Sequence, residues 1–262
     1  MLLTKVRKAS SLITNPRLLL GRVNYLFILS HMRSRSTLLA HLLGSNRAIH
    51  GYRELQRSYT GSISLLKMRV ELFNEFRFRS TVNTYLLDKL LHGKMKISVN
   101  VLESFSPKII YLVREPRSTI KSIVAMGRQL DDLKLTSVNY ASDYYCTRLR
   151  ELQDFSRQAD CDCFFIESDE LISSPENRLA YLTQWLNLAE PLQQTYRKFN
   201  HTGEPIHGDP SAHIVTGKIR MTPENPDIEF QADKLREAEQ LYQEVCTAFR
   251  IDCNTGSAIP GA

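Results

Sequence analysis

Two short stretches of the chain carry residues suited to holding an anion. The first is Arg33-Ser34-Arg35-Ser36-Thr37, a polar turn between the apolar run Val23–Ser30 and a segment of helical spacing that starts at Ser36. The first N–H groups of a helix lack intrahelical partners, and the helix dipole adds about half a positive charge there, so a strand feeding such a turn makes an anion site. Arg33 and Arg35 add full charges, while Ser36 and Thr37 add hydroxyl donors. The second stretch is Arg114-Glu115-Pro116, with Ser122 eight residues past the arginine. Arg114 leaves the apolar run Lys108–Val113, and Pro116 suits the first turn of a helix. About two helical turns then carry Ser122 to the face toward the strand end. Arginine fits this task because its planar fork bonds phosphate oxygens at two points and keeps its charge. Arg117 and Ser118 are further candidates in the same turn. A group able to take a proton is also at hand: Glu54, the first acidic residue of the chain, with His31 and His50 as the alternatives.

The elements that must position these residues alternate. Val23–Ser30, Lys108–Val113 and Cys163–Ile166 are short apolar or β-branched runs and predict buried strands. Helical spacing predicts helices from Ser36, over Ile63–Phe78, over Val82–His92 with Gly93 as its stop, and from Pro116 to about Met126 ended by Gly127. Further helices are predicted over Val138–Gln158, Pro175–Leu186 and Lys234–Phe249, and Ser36 is the natural N-cap of the first. Such alternation argues an α/β fold with a central, mainly parallel sheet flanked by helices. The expected organisation is a single domain over 1–262, with a basic N-terminal segment at 1–22 and a disordered tail at 252–262.

Composition narrows the classes. The chain of 262 residues has a net charge of +6, unevenly spread: residues 1–128 hold 22 Lys/Arg against 6 Asp/Glu, and residues 129–262 hold 12 against 22. The basic half is rich in Leu, Ile, Phe and Tyr, so its charge belongs to folded structure and points to an anionic ligand. A nucleic-acid module is the competing reading of that charge. It is disfavoured because no stacking motif is present and the arginines fall in turns. No apolar run approaches the roughly 18 residues of a membrane span. Five cysteines, an odd number without a CxxC pair, indicate neither a disulfide framework nor a zinc site. A reducing compartment, hence a cytoplasmic location, is the expectation. His201, His207 and His213 are too widely spaced for a metal site on one helix, and no metal is expected.

The first turn lacks the glycine and the lysine of a Walker A loop, GxxxxGK[ST]. It resembles instead the 5′-phosphosulfate-binding loop of sulfotransferases, R-S-G-[ST]-[ST]-L-L in carbohydrate-type and bacterial members. Arg33-Ser34-Arg35-Ser36-Thr37-Leu38-Leu39 matches that loop except that Arg35 stands where the family has glycine. A side chain there either impedes close approach of the backbone to phosphate or lends its own guanidinium to the ligand. Arg114 through Ser122 resembles the family's 3′-phosphate motif, R-x-P-x(5)-S. Phe164–Leu171 followed by Pro175 is similar to its strand–YEDL–helix unit, and there Glu167 and Asp169 read as turn and cap residues. Gly208-Asp209 and Gly217-Lys218-Ile219 are similar to the C-terminal GD…GK segment of bacterial members, which makes Lys218 or Arg220 a candidate to close over a nucleotide.

The resemblance covers Tyr25–Phe249 and implies a P-loop-NTPase-like sulfotransferase fold. The implied donor is 3′-phosphoadenylyl sulfate (PAPS) and the implied product adenosine 3′,5′-bisphosphate. The implied acceptor is a hydroxyl or amine of a small molecule, carbohydrate or lipid, drawn to a pocket formed by Tyr52–Phe78 and the middle helices. Arg33, Ser34, Arg35, Ser36, Thr37, Arg114, Ser122 and Lys218 would bind the donor, with Arg33 stabilising the leaving phosphate and Glu54 or His31 serving as base. A P-loop-like phosphotransferase or kinase and a degenerate, non-catalytic nucleotide binder are the alternatives.

Overall fold

A computed structural model describes residues 21–204, 214–220 and 227–256. Its sheet is built from β1 (Asn24–Ser30), β2 (Ile49–His50), β3 (Tyr85–Leu90), β4 (Lys108–Val113) and β5 (Cys163–Glu167). The strands lie in the order β2-β3-β1-β4-β5, and every pairing is parallel. The helices between them are α1 (Ser36–Gly44), α2 (Ser62–Phe76), α3 (Val99–Phe105), α4 (Pro116–Leu130) and α5 (Val138–Gln158). They continue with α6 (Glu170–Ser173), α7 (Pro175–Trp185) and α8 (Ala232–Asp252).

A parallel sheet is covered on both faces, so its central strands read as continuous apolar runs. One face carries a core of Phe27, Leu29, Leu86, Leu90, Ile109 and Tyr111 packed on α2, α4, α5 and α8. The other buries Leu26, Ile28, Leu87, Ile110 and Leu112 beneath α1 and α7. Because β3 and β4 flank β1 on opposite sides, the chain reverses its winding at β1. A crevice opens at such a point beyond the carboxyl ends of the strands. The turns after β1, β3 and β4 all leave that same end of the sheet, because the strands are parallel.

Several local expectations are corrected. Val82–His92 is not a helix: its centre is strand β3, buried along its whole length. The N-cap of α1 is Arg35, in the left-handed region at φ 66°, and Ser36 is already inside the helix. Helix α4 passes through Gly127 to Leu130; the glycine is needed because a Cβ there would lie 2.6 Å from the Leu135 carbonyl carbon. Cys163 and Cys253 form a disulfide, which overturns the expectation of unpaired cysteines and removes the ground for inferring a reducing compartment. Cys146, Cys161 and Cys246 are free. The first part of the expected tail is placed, with Asn254 hydrogen-bonded beside β5. Gly208, Asp209, His207, His213, residues 1–20 and residues 257–262 lie outside the described residues.

Candidate functional site

The two turns predicted to hold an anion meet. Arg33 Nε donates to Ser122 Oγ at 2.9 Å, and Arg114 Nη1 donates to the Arg33 carbonyl oxygen at 3.2 Å. Each motif therefore holds a member of the other. Strand pairing of β1 with β4 brings the turns side by side, and local features finish the job. Arg33 and Arg35 both adopt the left-handed backbone, at φ 61° and 66°, which coils the loop tightly around the buried Ser34. Ser34 Oγ lies 2.6 Å from Ser30 Oγ, pinning the loop to the end of β1. Pro116 opens α4, and the Glu115 carboxylate caps it by accepting from the N–H groups of Arg117 and Ser118.

Helix α5 clamps the strand ends from the other side. Buried Arg148 donates to the carbonyl oxygens of Ser30 and Leu90 at 2.9 and 3.0 Å. Tyr144 accepts from the Met32 N–H and donates to the Leu91 oxygen, and Tyr145 donates to the Arg114 oxygen. The carboxyl ends of β1, β3 and β4 are thus tied to one helix, which holds the turns rigid.

The structure adds a residue that sequence reading missed. Lys89, on β3 and 1% exposed, donates from Nζ to Thr37 Oγ1 at 2.7 Å. The same ammonium lies 3.6 Å from Glu54 Oε1. Lys89 therefore connects the anion loop to the candidate base. Glu54 is itself buried and accepts from Gln56 Nε2 at 3.0 Å, while Arg53 turns away to Glu71 and Glu75 of α2. His92, just past β3, also senses this group: burial lowers its pKa, the Glu54 charge opposes that, and Lys94, Arg148 and Lys89 reinforce it. The signal in the sequence is the pair Lys89 and His92, which bracket the end of an apolar run whose spacing predicts a helix.

Other candidates separate. His31 is fully buried, its Nδ1 donating to the Met32 oxygen at 2.9 Å and its Nε2 accepting from the Arg114 N–H at 3.1 Å. Burial first, then the charges of Arg114 and Arg148, lower its pKa to about 4 against hydrogen bonds that oppose the shift. Both ring nitrogens of His31, an expected base, are engaged by backbone groups, and Nε2 holds the Arg114 N–H. His50 stacks on Phe78, its pKa lowered to about 4 by burial and by Arg197. Lys218 is exposed, its backbone paired with Thr195, and no hydrogen bond or ion pair joins its side chain to the loop among the described residues. Arg117 leaves the turn to pair with Glu239 of α8. Tyr52 and Phe76, expected around an acceptor, pack with Phe199, Tyr52 and Phe199 stacking at 4.1 Å.

The electrostatics favour an anion. Burial, then the neighbouring Arg35 guanidinium, pulls Arg114 down to about 10, so it is still charged at neutral pH. Its Nε is buried without a hydrogen-bond partner. Among the described residues, no group of three or more His, Cys, Asp or Glu side chains is placed to hold a metal ion. No helix among them is long and apolar enough to cross a membrane.

No protein-family model matches the sequence, and no curated protein does. Solved structures do. A sulfotransferase domain from the curacin biosynthetic pathway superposes with a TM-score of 0.57 at 22% identity, over 85% of this chain and 99% of that one. The chain has a sulfotransferase fold. A sulfotransferase domain from the olefin synthase of Synechococcus PCC 7002 agrees, with a TM-score of 0.52 at 19% identity over 85% of this chain and 96% of that one. In the sulfotransferase fold of this chain, Arg33–Thr37 spans the β1–α1 turn and the start of α1, and Arg114–Ser122 spans the β4–α4 turn and the first turns of α4.

Proposed function

We propose that the chain is a sulfotransferase that moves a sulfuryl group from PAPS to a hydroxyl or amine of a small-molecule, carbohydrate or lipid acceptor. The observation that carries the reading is the Arg33–Ser122 hydrogen bond at 2.9 Å, which fuses a phosphosulfate-type loop and a 3′-phosphate-type motif into one cationic cradle. The residues present suit such a polyanion. Arg33, Arg114 and the α1 N-terminus supply charge and directed donors, and Ser36 and Thr37 supply hydroxyls.

In the reaction the acceptor oxygen bonds to sulfur while the bond from sulfur to the 5′-phosphate oxygen breaks. The electron pair stays on adenosine 3′,5′-bisphosphate, and the acceptor proton passes to a base. Charge grows on the leaving oxygen, so preorganised donors there lower the barrier most. Arg33 and Lys89 are those donors, and Lys89 is held in place by Thr37 and Glu54. Glu54 is the proposed base, buried and in contact with that lysine. The cationic cradle supplies the positive charge without a metal.

Transfer is tested with PAPS labelled in its sulfuryl group and a panel of sugars, lipid alcohols and phenols. Arg33→Ala should keep adenosine 3′,5′-bisphosphate binding within about tenfold while lowering turnover about 10²–10³-fold, as for loss of one oxyanion donor. Binding without any transfer across the panel, even on mixed cell extracts as acceptor, would favour the non-catalytic nucleotide binder.

A further inference from the structure

Arg35 occupies a position where a glycine would be easiest to accommodate, and its side chain reaches across the crevice. From the N-cap of α1 its Nη1 donates to Ser168 Oγ at 3.2 Å and pairs with the Asp169 carboxylate beyond β5. The two partners differ in exposure: the Arg35 side chain is 16% exposed and that of Asp169 54%. A half-exposed carboxylate gives up an ion pair at little cost, because water solvates it on release. A largely withdrawn guanidinium needs another anion in exchange.

The surroundings point to what that anion is. Arg35 is the strongest neighbouring charge acting against Arg114, and Asp169 is the strongest acting for it, so one carboxylate serves both cations. Arg35 Nε and Arg114 Nε are both buried with no hydrogen-bond partner. Asp169 thus stands beside a cluster of three arginines, with Arg114 held against Arg33. An anion with several oxygens is suited to engage that cluster.

Resting on the sulfotransferase reading, we propose that Asp169 is an internal counter-anion of the donor site. It holds Arg35 at the mouth of the loop until a phosphate of the nucleotide replaces it, and Arg35 then binds that phosphate. The guanidinium takes over the role that backbone approach plays where glycine stands.

Calorimetric titration with adenosine 3′,5′-bisphosphate tests this on the full chain. Arg35→Gly should weaken binding about tenfold or more, the scale of a lost charge-assisted hydrogen bond. Misfolding does not explain such a loss, because glycine accepts φ 66° without strain, and a thermal melt checks it. Asp169→Asn should tighten binding about two- to fivefold, the scale of a half-exposed ion pair. In the double variant the asparagine should add nothing, since Arg35 is gone. Wild-type binding with Arg35→Gly unchanged or tighter, or with Asp169→Asn weaker, overturns the proposal and leaves the sulfotransferase reading intact. A wild-type protein that does not bind the nucleotide overturns both.

Discussion

A lysine ammonium that is almost entirely out of water is stable only when its charge and its hydrogen-bonding capacity are met. Lys89 has Glu54 at 3.6 Å and Thr37 at 2.7 Å for that purpose. Taking away one partner of a buried pair leaves the other charge uncompensated, at a cost of about 3–5 kcal/mol, whereas replacing both can be neutral. Glu54→Gln should therefore lower the melting temperature by roughly 6–15 °C, and adding Lys89→Met should recover most of that loss. Activity should behave differently. Loss of a general base costs about 10²–10⁴-fold, and the double variant, which also loses the Lys89 donor, should be no more active than the single one. Calorimetric melts with single-turnover assays separate the two effects; activity returning with stability would show that Glu54 acts through folding alone. Arg33 and Arg114 stand out in the sequence because they follow apolar runs, and Glu54 because it is the first acidic residue of the chain. Lys89 does not, because a charge within an apolar run takes its meaning from a partner 52 residues away.

The same cause hid strand β3. Leu86, Leu87, Leu90 and Leu91, with Asp88 and Lys89 between them, have the spacing of an amphipathic helix. In the sheet both polar residues are buried on opposite faces, each with its own partners. Lys89 faces the anion loop, and Asp88 accepts from Tyr59 Oη at 2.6 Å and from the N–H groups of Leu55 and Lys89 at 2.9 and 2.8 Å. Asp88 thereby fixes the segment that follows Glu54. Gly51 makes the approach possible: at φ 131° the chain crosses β3 so closely that a Cβ would lie 2.0 Å from the Leu87 oxygen. Asp88→Ala strands two buried N–H groups and a hydroxyl and should cost about 3 kcal/mol or more. It should also lower turnover while nucleotide affinity stays within a few fold, because the cradle is anchored by β1, β4 and α5 instead. Chemical denaturation and nucleotide titration on one preparation measure both; equal losses in binding and turnover would remove Asp88 from the positioning of Glu54. Strands β1 and β4 were readable because nothing polar interrupts their cores.

The uneven charge of the chain resolves across the whole molecule. Part of the basic excess lines the cradle, and part pairs with the acidic back half: Lys108 with Asp162, Arg117 with Glu239, Lys121 with Asp227. The disulfide at the far end of the sheet was invisible in spacing, since Cys163 and Cys253 are 90 residues apart and meet only because α8 returns to β5. Buried imidazoles make stability depend on pH. His31 and His50 have pKa values lowered to about 4, whereas in the unfolded chain they protonate near the ordinary value of 6.5. Their contribution is present in full above about pH 6.5 and is lost as pH falls toward 4, on the order of 3 kcal/mol for His31. Asp88, raised to about 6 by burial, acts in the opposite sense over the lower part of that window. The comparison that isolates His31 is the slope of unfolding free energy between pH 7 and 5 in wild type and in His31→Gln. A flatter slope in the variant is expected; an unchanged slope would mean that His31 is not held neutral.

The central claim is that the turns at Arg33–Thr37 and Arg114–Ser122 form one site for a nucleotide bearing 3′ and 5′ anionic groups. Isothermal titration with adenosine 3′,5′-bisphosphate, with magnesium and then with a chelator, addresses it directly. Binding in the micromolar range that is the same in both conditions and is lost in Arg114→Ala is the predicted result. Absence of binding, or binding that requires magnesium, would contradict it.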